Sequence, residues 1–492
     1  MTRFDWLTIG ITIVSVLGFA NRIISRRPFR RPRTGWAWLL LVGAVVARVG
    51  WGPAGFFGNL LIAGRDVGVG LVVGATWLSL ERERSRAWLV GGVLLLALWL
   101  LVSRGRSSGP PVELLLELGP EDSIADVAAV LERHDAAYEK AFPEVTFAED
   151  EDLAQFYLVR CPSSEAKALM AELKSDAEDV DSIEPNDEAS LVPLLEGHEL
   201  VAAAAAGPVN DPHYKQQWGL AMIHGEEALA RLKQLKPKRI ALVAIGDTGV
   251  DSLHEDLAAV FDKSPGDTDG NGHGTHCAGI AAAVADNGVG IASLNLGGRF
   301  VRVLGFPALS PQGSGSAESI AQAIIDAAEA GADVISLSLG GRQPTPPTVE
   351  VDAIRFAIKR GAIVVAAAGN DGEDAALHAP ANIPGVITVS AVDSNGRKAE
   401  FSNTVQSLKR PIAAPGVDIY SLGPGHQYLP MSGTSMAAPM VAGLLAVMRS
   451  LRPKLKADAA FEILQRTGIK GHDPATCGRI IDADAAIDAV LR

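Results

Sequence analysis

Residues 240–249 read Ile-Ala-Leu-Val-Ala-Ile-Gly-Asp-Thr-Gly, an apolar run that leads directly to an acid, Asp247. A short apolar run bounded by a charged residue and a glycine turn is typical of a strand buried in a parallel sheet. Four similar runs follow at 301–304, 334–338, 363–367 and 386–390. Helical patterns, such as 319–330 and 349–360, lie between several of them. The alternation predicts an α/β domain with helices on both faces of a parallel sheet.

Asp247 is one of three reactive groups that stand in glycine-rich segments. The other two are His273, in Asn-Gly-His-Gly-Thr-His-Cys-Ala-Gly, and Ser435, in Gly-Thr-Ser-Met-Ala-Ala-Pro. A serine hydroxyl attacks only if a base takes its proton, and an imidazole base needs an acid to fix its tautomer. The order Asp, His, Ser therefore indicates nucleophilic catalysis by serine.

These segments make the chain similar to the subtilisin-like serine proteases, also called subtilases or peptidase family S8, which have the same triad order. The resemblance runs from about residue 210 to the C-terminus. It includes Asn-Asp-Pro at 210–212, Gln-Trp-Gly-Leu at 217–220, Ser-Leu-Gly-Gly at 338–341 and Ala-Ala-Ala-Gly-Asn at 366–370. It implies a three-layer subtilisin-like catalytic domain over 210–492 that hydrolyses peptide bonds.

The resemblance also implies roles for single residues. Ser435 becomes the nucleophile, His273 the base, Asp247 the group that orients His273, and Asn370 a donor to the oxyanion. No cofactor is required for this chemistry. Gly246 differs from the branched apolar residue that usually precedes the acid in this family.

The resemblance also implies which segments bind the substrate. Ser338, Leu339 and Gly340 match a strand that pairs with an extended peptide. His378-Ala379-Pro380 falls where the family closes its first specificity pocket.

Each of these residues also has a structural interpretation. Ser435 suits the N-cap of the helix that follows it, and Asn370 stands in Gly-Asn-Asp-Gly, a good turn sequence. His276 competes with His273 as the base, and the two histidines together raise the alternative of a metal site. No Glu or third ligand accompanies them at metalloprotease spacing, which argues against that alternative.

A structural calcium site is also compatible with the resemblance. Asp211 and Asp256 match calcium-binding positions of relatives, and Asp286 and Asn287 lie in the corresponding loop. Carboxylates and amides suit a hard cation. Surface acids that bind nothing are the alternative, and the loop ends in Gly-Ile-Ala-Ser rather than the usual Gly-Val-Ala-Pro.

Residues 1–106 differ sharply in composition from the rest of the chain. They contain 14 Arg, no Lys and 4 acids, or +10, whereas the remainder has 30 basic and 53 acidic residues, or −23. Seven of the eight Trp lie there, at the ends of apolar runs, as suits side chains at a membrane interface. We therefore predict a transmembrane region of about four helices, near 5–21, 35–52, 56–80 and 87–103.

The distribution of arginines predicts the orientation of these helices. Arg-rich loops at 22–33 and 82–86 should face the cytoplasm, which places 104–492 on the extracytoplasmic side. Arg65-Asp66 interrupts the third span, so this span is either broken or re-entrant or holds an intramembrane ion site. Contact with the lipid bilayer follows from this prediction, whereas the acidic remainder argues against nucleic acid.

Residues 107–190 form a second predicted domain. Strand-like runs at 112–118, 142–147, 156–161 and 180–183, with helical patterns at 122–134 and 163–175, give a β-α-β-β-α-β order. This small α+β, ferredoxin-like domain resembles the inhibitory propeptide that precedes many subtilase domains. The alternative is an independent small domain. The segment 191–209 is predicted to be an exposed connector with a processing site.

Three functions remain open on the sequence alone. The first is a membrane-anchored serine endopeptidase, inhibited by its own propeptide-like domain. The second is an inactive scaffold with the same fold. The third is a protease that cleaves itself once and then stays inhibited. Three cysteines, Cys161, Cys277 and Cys477, imply no disulfide framework.

Overall fold

The computed structural model describes residues 109–175, 179–191, 195–196 and 208–492. The predicted membrane spans lie outside these residues, and so does most of the predicted connector. The described residues of Pro111–Cys161 and Ala166–Arg492 belong to one compact unit.

A small α+β region opens this unit. Its elements are β1 (Pro111–Leu118), α1 (Ile124–Arg133), β2 (Ala137–Lys140), β3 (Phe156–Pro162), α2 (Ser163–Ser175) and β4 (Val180–Pro185). The strands form one sheet in the order β2-β3-β1-β4, the order of a split βαβ arrangement. Leu114, Leu116 and Leu118 of β1 pack in a core with α1 and α2, while Leu115 belongs to the core on the opposite face.

The second strand of this region is not where the sequence pattern placed it. Residues 142–147, predicted to be extended, form turns, and β2 lies earlier in the chain. All four residues of β2 are exposed, so no apolar alternation marks this edge strand. Phe142 and Val145 are buried without belonging to a strand, because they contact the core of the neighbouring helices.

Two short strands follow, β5 (Glu188–Ser190) and β6 (Leu195–Glu196). The remaining elements are α3 (Trp218–Met222), α4 (Gly225–Lys233), β7 (Ala241–Asp247), α5 (His273–Ala282), β8 (Val284–Ala285), β9 (Asn295–Leu296), β10 (Val301–Pro307), β11 (Ser314–Ser316), α6 (Ala317–Glu329), β12 (Val334–Leu337), β13 (Gly341–Arg342), α7 (Thr348–Lys359), β14 (Ile363–Ala367), β15 (His378–Ala379), β16 (Ile387–Val392), β17 (Pro411–Pro415), β18 (Ile419–Gly423), β19 (Gln427–Ser432), α8 (Thr434–Leu451), α9 (Ala457–Thr467), α10 (Pro474–Cys477) and α11 (Ala483–Leu491). Single 3₁₀ turns lie at Leu153–Gln155, Tyr214–Gln216 and Ala375–Leu377.

Six parallel strands form the central sheet, in the order β10-β7-β12-β14-β16-β17. Helices α6 and α7 cover one face, and α5 and α8 cover the other. Strand β7 is buried except for the partly buried Leu242, and it supplies side chains to both cores, with Val243 and Ile245 on one face and Ala244 on the other. The domain is therefore the predicted α/β sandwich with a parallel sheet.

The sixth strand, β17, was missed by the sequence prediction. It reads Pro-Ile-Ala-Ala-Pro and lies at the edge of the sheet. Proline cannot donate a ladder hydrogen bond, so a run that begins and ends on proline is compatible only with an edge position. Such a run is easily taken for a loop.

Among the described residues, one helix is long and apolar enough to cross a membrane, namely α8. All of its residues are buried inside the domain. The core helix of a folded domain meets the same criterion, so α8 is interpreted here as the central helix of the sandwich.

The small sheet packs against α6 and α7 through its second face. Phe156 and Leu158 belong to the same core as Ile320 and Ile324 of α6. Polar groups of the small region also satisfy the free amides at the helix starts. Glu184 accepts a hydrogen bond from the amide of Thr348 at 2.7 Å, and Asn186 accepts one from the amide of Glu318 at 3.1 Å.

Candidate active site

Asp247 and His273 form a buried pair at the end of β7 and the start of α5. The Nδ1 atom of His273 lies 2.8 and 2.9 Å from the two carboxylate oxygens of Asp247, and neither side chain is exposed. Burial disfavours the charged imidazolium, but the Asp247 carboxylate outweighs this effect and raises the pKa of His273 well above its usual value. The other ring nitrogen, Nε2, is buried without a hydrogen-bond partner. The pair is thus arranged to accept a proton at Nε2.

His276, the competing histidine, points elsewhere. Its Nε2 lies 3.1 Å from the carbonyl oxygen of Leu429 on β19, so this nitrogen carries the hydrogen. Burial, reinforced by the charge of His273, lowers the pKa of His276 to about 3. His276 is therefore a neutral group that ties α5 to β19. Within the described residues, the one cluster of three or more potential metal ligands is Asp247, His273 and Cys277, and it excludes His276.

A second acid, Asp269, organises the turn before His273, and the sequence prediction did not single it out. One carboxylate oxygen accepts hydrogen bonds from the hydroxyl of Thr248 and from the amides of Asn271 and Gly272, at 2.8–2.9 Å. The other oxygen accepts from the amide and hydroxyl of Thr275, at 2.9 and 2.7 Å. A carboxylate that draws five donors together fixes the backbone from which the imidazole projects. An acid four residues before the histidine was the available signal.

Thr248 links this network to Asp247. Its amide donates to Asp247 at 2.8 Å, and its hydroxyl accepts from the amide of Gly274 at 3.1 Å. Thr248 therefore donates to both acids, through its amide to Asp247 and through its hydroxyl to Asp269.

Ser435 is the second residue of α8, and its backbone carbonyl has an unusual partner. Pro439 lies inside the helix, four residues after Ser435. Because proline has no N–H, it cannot make the helical bond to the Ser435 carbonyl. The hydroxyl of Ser338, at 2.9 Å, and the thiol of Cys277, at 3.4 Å, donate to this carbonyl instead.

The side chain of Ser435 completes a reciprocal contact. Its Oγ donates to the carbonyl oxygen of Ser338 at 3.1 Å, and the side chain is fully buried. Cys277 connects Ser435 with His273, because the sulfur that donates to the Ser435 carbonyl also lies 4.0 Å from Nδ1 of His273. His273 and Ser435 thus lie on either side of one buried sulfur atom, and burial raises the pKa of that thiol.

Asn370 is oriented by the start of α8. Its Oδ1 accepts hydrogen bonds from the amide and the hydroxyl of Thr434, at 2.9 and 2.8 Å. The amide nitrogen is therefore the end that remains as a donor, and a Cβ added to Gly433 would lie 3.1 Å from it. The Ser435 amide lies in the first turn of α8, where helix amides have no partner within the helix. Both donors suit a developing negative charge.

Ser338, Leu339 and Gly340 continue from the end of β12 past Ser435. Gly340 donates its amide to the carbonyl oxygen of Ser190 at 3.4 Å, in an antiparallel bridge. On its other side, β5 pairs with β11, with Ala189 opposite Gly315. The amide of Leu191 also donates to Gly313 at 2.8 Å. A segment of the chain itself thus lies between two strand edges, as an extended peptide would.

The predicted connector is ordered where it is described. Leu191 is hydrogen-bonded rather than free, and β6 pairs with β19, with Glu196 opposite Met431 and Leu195 opposite Ser432. Leu191 is partly buried, and the exposure of the connector as a whole stays a prediction. Strand β19 ends three residues before Ser435. Because Ser190 pairs with Gly340 and β6 pairs with β19, two segments of the chain are paired near the candidate nucleophile.

Asp211 and Asp256, the predicted calcium ligands, bind backbone and amide donors. Asp211 accepts from the amides of Asp286 and Asn287, at 2.8 and 3.3 Å. Asp256 accepts from the amide of Ile291 and from the side chain of Asn287, both at 2.8 Å. Burial, together with nearby Asp211, raises the pKa of Asp256 to about 7. N–H groups around both carboxylates do not fit a calcium ion, so calcium binding stays a prediction that this arrangement does not support.

Known proteins resemble the chain in sequence and in fold. Residues 238–478 match the model of the subtilase family, Peptidase_S8. Thermitase of Thermoactinomyces vulgaris is 40% identical over 249 residues, which cover 49% of this chain and 85% of thermitase. Subtilisin DY of Bacillus licheniformis is 39% identical over 253 residues, covering 50% and 89%.

Two further comparisons extend this likeness. A thermophilic serine proteinase of Bacillus sp. (strain AK1) is 42% identical over 254 residues, but the match spans only 61% of its length and 50% of this chain. A solved structure described as proteases from Pseudoalteromonas arctica PAMC 21717 aligns with a TM-score of 0.52 and 29% identity, over 58% of this chain and all of that one. The matched region contains the parallel sheet and the three candidate catalytic residues, and the chain therefore belongs to the subtilase family of serine peptidases.

Proposed function

We propose that this chain is a membrane-anchored serine endopeptidase that forms an acyl-enzyme on Ser435. The observation that carries the proposal is the buried Asp247–His273 pair, whose Nε2 has no hydrogen-bond partner and which the sulfur of Cys277 connects to the Ser435 carbonyl. Asp247 holds the Nδ1–H tautomer, so Nε2 can take the proton of the attacking hydroxyl. In the arrangement described above, Ser435 donates to Ser338, so its hydroxyl must turn toward Nε2 before it attacks.

The reaction then follows from the positions of the remaining groups. Ser435 Oγ attacks the peptide carbonyl carbon, and the proton moves to His273 Nε2. The side-chain amide of Asn370 and the backbone amide of Ser435 donate to the oxyanion. His273 gives its proton to the leaving amine, and water releases the acyl group by the reverse steps. No cofactor enters this scheme.

The chain's own residues 107–190 are proposed to act as an inhibitor. Two observations support this role: the small sheet packs on α6 and α7, and β5 occupies the edges of β11 and Gly340. A substrate that pairs with the same edges by main-chain hydrogen bonds must first displace this segment. The segment also favours a second candidate function, in which the site cleaves its own chain once and then remains blocked.

Membrane anchoring rests on the sequence of residues 1–106. Their apolar runs, the terminal Trp residues and the Arg-rich loops favour four spans with the catalytic domain outside the cytoplasm. Cleavage within 191–209 would cut the peptide link between the anchor and the protease.

Labelling of the solubilised full-length protein with a fluorophosphonate probe tests the proposal. We expect a labelled band that disappears in Ser435→Ala. A band shortened to about residues 200–492 supports a working protease with a cleaved inhibitor domain. Turnover of an added peptide by that band excludes the permanently blocked form. Absence of labelling in intact, folded protein contradicts the proposal and favours a scaffold.

A further inference from the structure

Two loops at the same end of the catalytic domain share a short sequence. Leu-Lys-Pro-Lys at 235–238 follows α4, and Leu-Arg-Pro-Lys at 451–454 begins at the last residue of α8. The loops are in contact, because the amide of Lys238 donates to the carbonyl oxygen of Ser450 at 2.9 Å. Leu235 and Leu451 pack on the core of the sandwich, and the prolines restrict the backbone that follows them. The two loops therefore form one fixed surface.

This surface is strongly basic in an otherwise acidic part of the chain. Residues 233–240 and 449–456 contain 8 of the 30 basic residues of 107–492 and none of its 53 acidic residues. The other residues of 107–492 contain 22 basic and 53 acidic side chains. A surface with this density of positive charge attracts anions from outside the domain.

Three of the eight cations are neutralised within the domain. Arg239 and Arg449 pair with the buried carboxylate of Asp333, and Nζ of Lys233 lies 3.5 Å from a carboxylate oxygen of Asp286. The other five cations are exposed and form no ion pair with any residue that the structure describes. We call these five residues the basic patch: Lys236, Lys238, Arg452, Lys454 and Lys456.

The stability of the neighbouring helices does not explain the basic patch. A cation stabilises the C-terminus of a helix and destabilises its N-terminus. Lys454 and Lys456 lie directly before α9, and Lys456 is the N-cap residue of α9 but makes no capping hydrogen bond through its side chain. These two cations therefore disfavour α9, and an external anion would offset that effect.

The basic patch and the candidate site lie at opposite ends of the central sheet. Strand β7 begins at Ala241, two residues after Arg239, and ends at Asp247. Its seven residues extend over about 20 Å. A ligand on the basic patch would therefore leave the candidate site accessible.

Charge decides which partner fits the basic patch. Residues 1–106 carry +10, so they cannot neutralise it. The proposed membrane spans, however, would keep the domain next to a bilayer. Each Lys or Arg close to an anionic lipid surface strengthens binding by about fivefold. An anionic bilayer is thus the partner whose charge and position both match.

We propose that the basic patch binds the anionic phospholipids of the membrane that anchors the chain. The domain then rests on the bilayer with its candidate site facing away from the lipid. Cleavage within 191–209 would leave the catalytic domain bound to the same membrane through the basic patch. This inference rests on the proposed membrane anchoring, and it does not depend on hydrolysis at Ser435.

The test measures energy transfer from the domain to labelled lipid. The full chain, with Ser435→Ala to prevent processing, is placed in nanodiscs of phosphatidylcholine alone or mixed with phosphatidylglycerol. Because the three cysteines are buried, Gln234→Cys gives one exposed thiol beside the basic patch for a fluorophore. Transfer to an acceptor on the lipid should be higher with phosphatidylglycerol. It should fall at 1 M salt, where the Debye length is about 3 Å.

A fluorophore at the other end of the sheet is the control for distance. Gln312 is exposed and follows the carboxyl end of β10, so the thiol of Gln312→Cys lies at the end of the candidate site. Energy transfer from this position should not rise with phosphatidylglycerol.

Charge reversal tests the basic patch itself. Lys236→Glu together with Lys454→Glu should lower the ratio of docked to undocked domain by at least about tenfold, since each cation is worth about fivefold. Lys263→Glu together with Arg397→Glu is the matched control, because both residues are exposed cations outside the basic patch. The control should keep the response to lipid charge. Fluorophosphonate labelling of both double variants, with Ser435 present, checks that they fold.

Three results would overturn the inference. The first is equal energy transfer from position 234 in the two lipids, in a chain that is inserted in the discs. The second is an equal loss of response in the two double variants. The third is a change of oligomeric state on charge reversal without any response to lipid charge, which would identify a second copy as the partner.

A chain that does not insert into the discs would contradict the proposed anchoring instead. Cosedimentation of that chain with vesicles of the same two lipid compositions then tests the basic patch alone. Binding to the anionic vesicles that the patch variant loses and the control keeps would support lipid binding. Absence of binding to the anionic vesicles would overturn it.

Discussion

At the scale of single residues, the candidate site depends on hydrogen bonds that the triad motif does not contain. Pro439 removes the helical partner of the Ser435 carbonyl, and Ser338 and Cys277 replace it. The backbone carbonyl of the same Ser338 accepts a hydrogen bond from the Ser435 hydroxyl. Two residues outside the proposed triad thus hold the backbone and the side chain of the candidate nucleophile.

Asp247→Asn should nearly abolish catalysis and change its pH dependence. The base must be neutral to act, so activity rises with pH through the pKa of His273, which Asp247 holds above its usual range. Without this charge the pKa falls, and the acid limb of the kcat/KM profile should move to lower pH. The wrong imidazole tautomer should also lower kcat by about 10⁴-fold. A pH–rate profile with an unmoved acid limb would contradict the assigned pair.

Asp269→Asn should lower kcat and leave KM nearly unchanged. An amide cannot accept hydrogen bonds at both ends, so the five donors that meet at Asp269 lose part of their anchor. A displacement of His273 by about 1 Å is expected to cost about 10²-fold in kcat. Loss of a nearby negative charge should also shift the acid limb to lower pH, which a purely structural change would not do.

Asp267→Asn is the matched control for this variant. Asp267 is an exposed acid two residues earlier in the same loop. Equal losses in the two variants would show that the loop tolerates no substitution, and would contradict a specific role for Asp269.

The sequence predicts Asp247, His273 and Ser435 as the catalytic residues because each stands in its own short motif. The choice of His273 over His276 came from the resemblance to the family, and the contact with Asp247 agrees with it. The role of Asp269 could not be read from the sequence, because its five partners become neighbours only when the loop folds. His378 was noticed as part of a pocket, but its pairing with Asp371 depends on how β15 turns back toward β13.

At the scale of elements, the end of β7 shows how packing replaces a missing side chain. Gly246 stands where the family has a branched apolar residue. A Cβ at this position would lie 2.8 Å from Cδ2 of Leu337, which is itself fully buried on the adjacent strand. The space is therefore filled from β12, and the strand end is not loose.

The double change Gly246→Val with Leu337→Ala should destabilise the protein less than the sum of the two single changes. The added side chain overpacks the core at a cost of about 1–3 kcal/mol, and Leu337→Ala leaves a cavity worth about 2–5 kcal/mol. Because each change relieves the other, the free energy of unfolding should show a coupling of about 0.5–3 kcal/mol. Urea unfolding of the four proteins measures this. If the changes in the free energy of unfolding are simply additive, the side chains at 246 and 337 do not compete for the same space.

Buried strands were the most predictable elements, and edge strands the least. Ile363–Ala367 is apolar and buried on both faces, so its pattern is unmistakable. Strands β2 and β17 lie at sheet edges, where exposure or proline removes the pattern. Strands β5 and β6 pair only with distant parts of the chain, and local sequence does not encode those partners.

At the scale of the whole described unit, acids meet where the small sheet packs on α7. The carboxylates come from both sides: Glu117 on β1, Glu184 on β4, and Glu350 and Asp352 on α7, with Asp150, Asp152 and Asp181 close by. Ser182 donates to Glu117, Thr348 donates to Glu184, and Arg355 and Lys359 are the basic groups, paired with Asp152, Asp352 and Asp150. Glu350 is 1% exposed, and one of its oxygens has no hydrogen-bond partner.

Burial is the main cause of the pKa shifts at this contact, and neighbouring carboxylates add to it. The pKa rises to about 8 for Glu350, beside Glu184, and to about 7 for Glu117, beside Asp352. That of Asp352 rises to about 6 despite the opposing effect of Arg355. A carboxyl whose pKa is raised by docking holds its proton more tightly in the docked state. Docking is therefore favoured at low pH and is weakened as the pH rises through these values.

We expect the contact between the small sheet and α7 to weaken progressively between about pH 5 and pH 8. In Ser435→Ala, which cannot process itself, the protection factors of the β1–β4 amides, corrected for the intrinsic rise of exchange with pH, should fall over this range. Those of β7 and β14 should not. Glu350→Gln keeps the size of the side chain but has no titratable proton. It should therefore remove most of the pH dependence of amide protection in β1–β4. Glu132→Gln, which changes an exposed acid on α1, is the matched control and should retain it. Since removal of a proton from buried Glu350 disfavours docking, tighter protection at pH 8 than at pH 5 would show that these carboxylates do not control the contact.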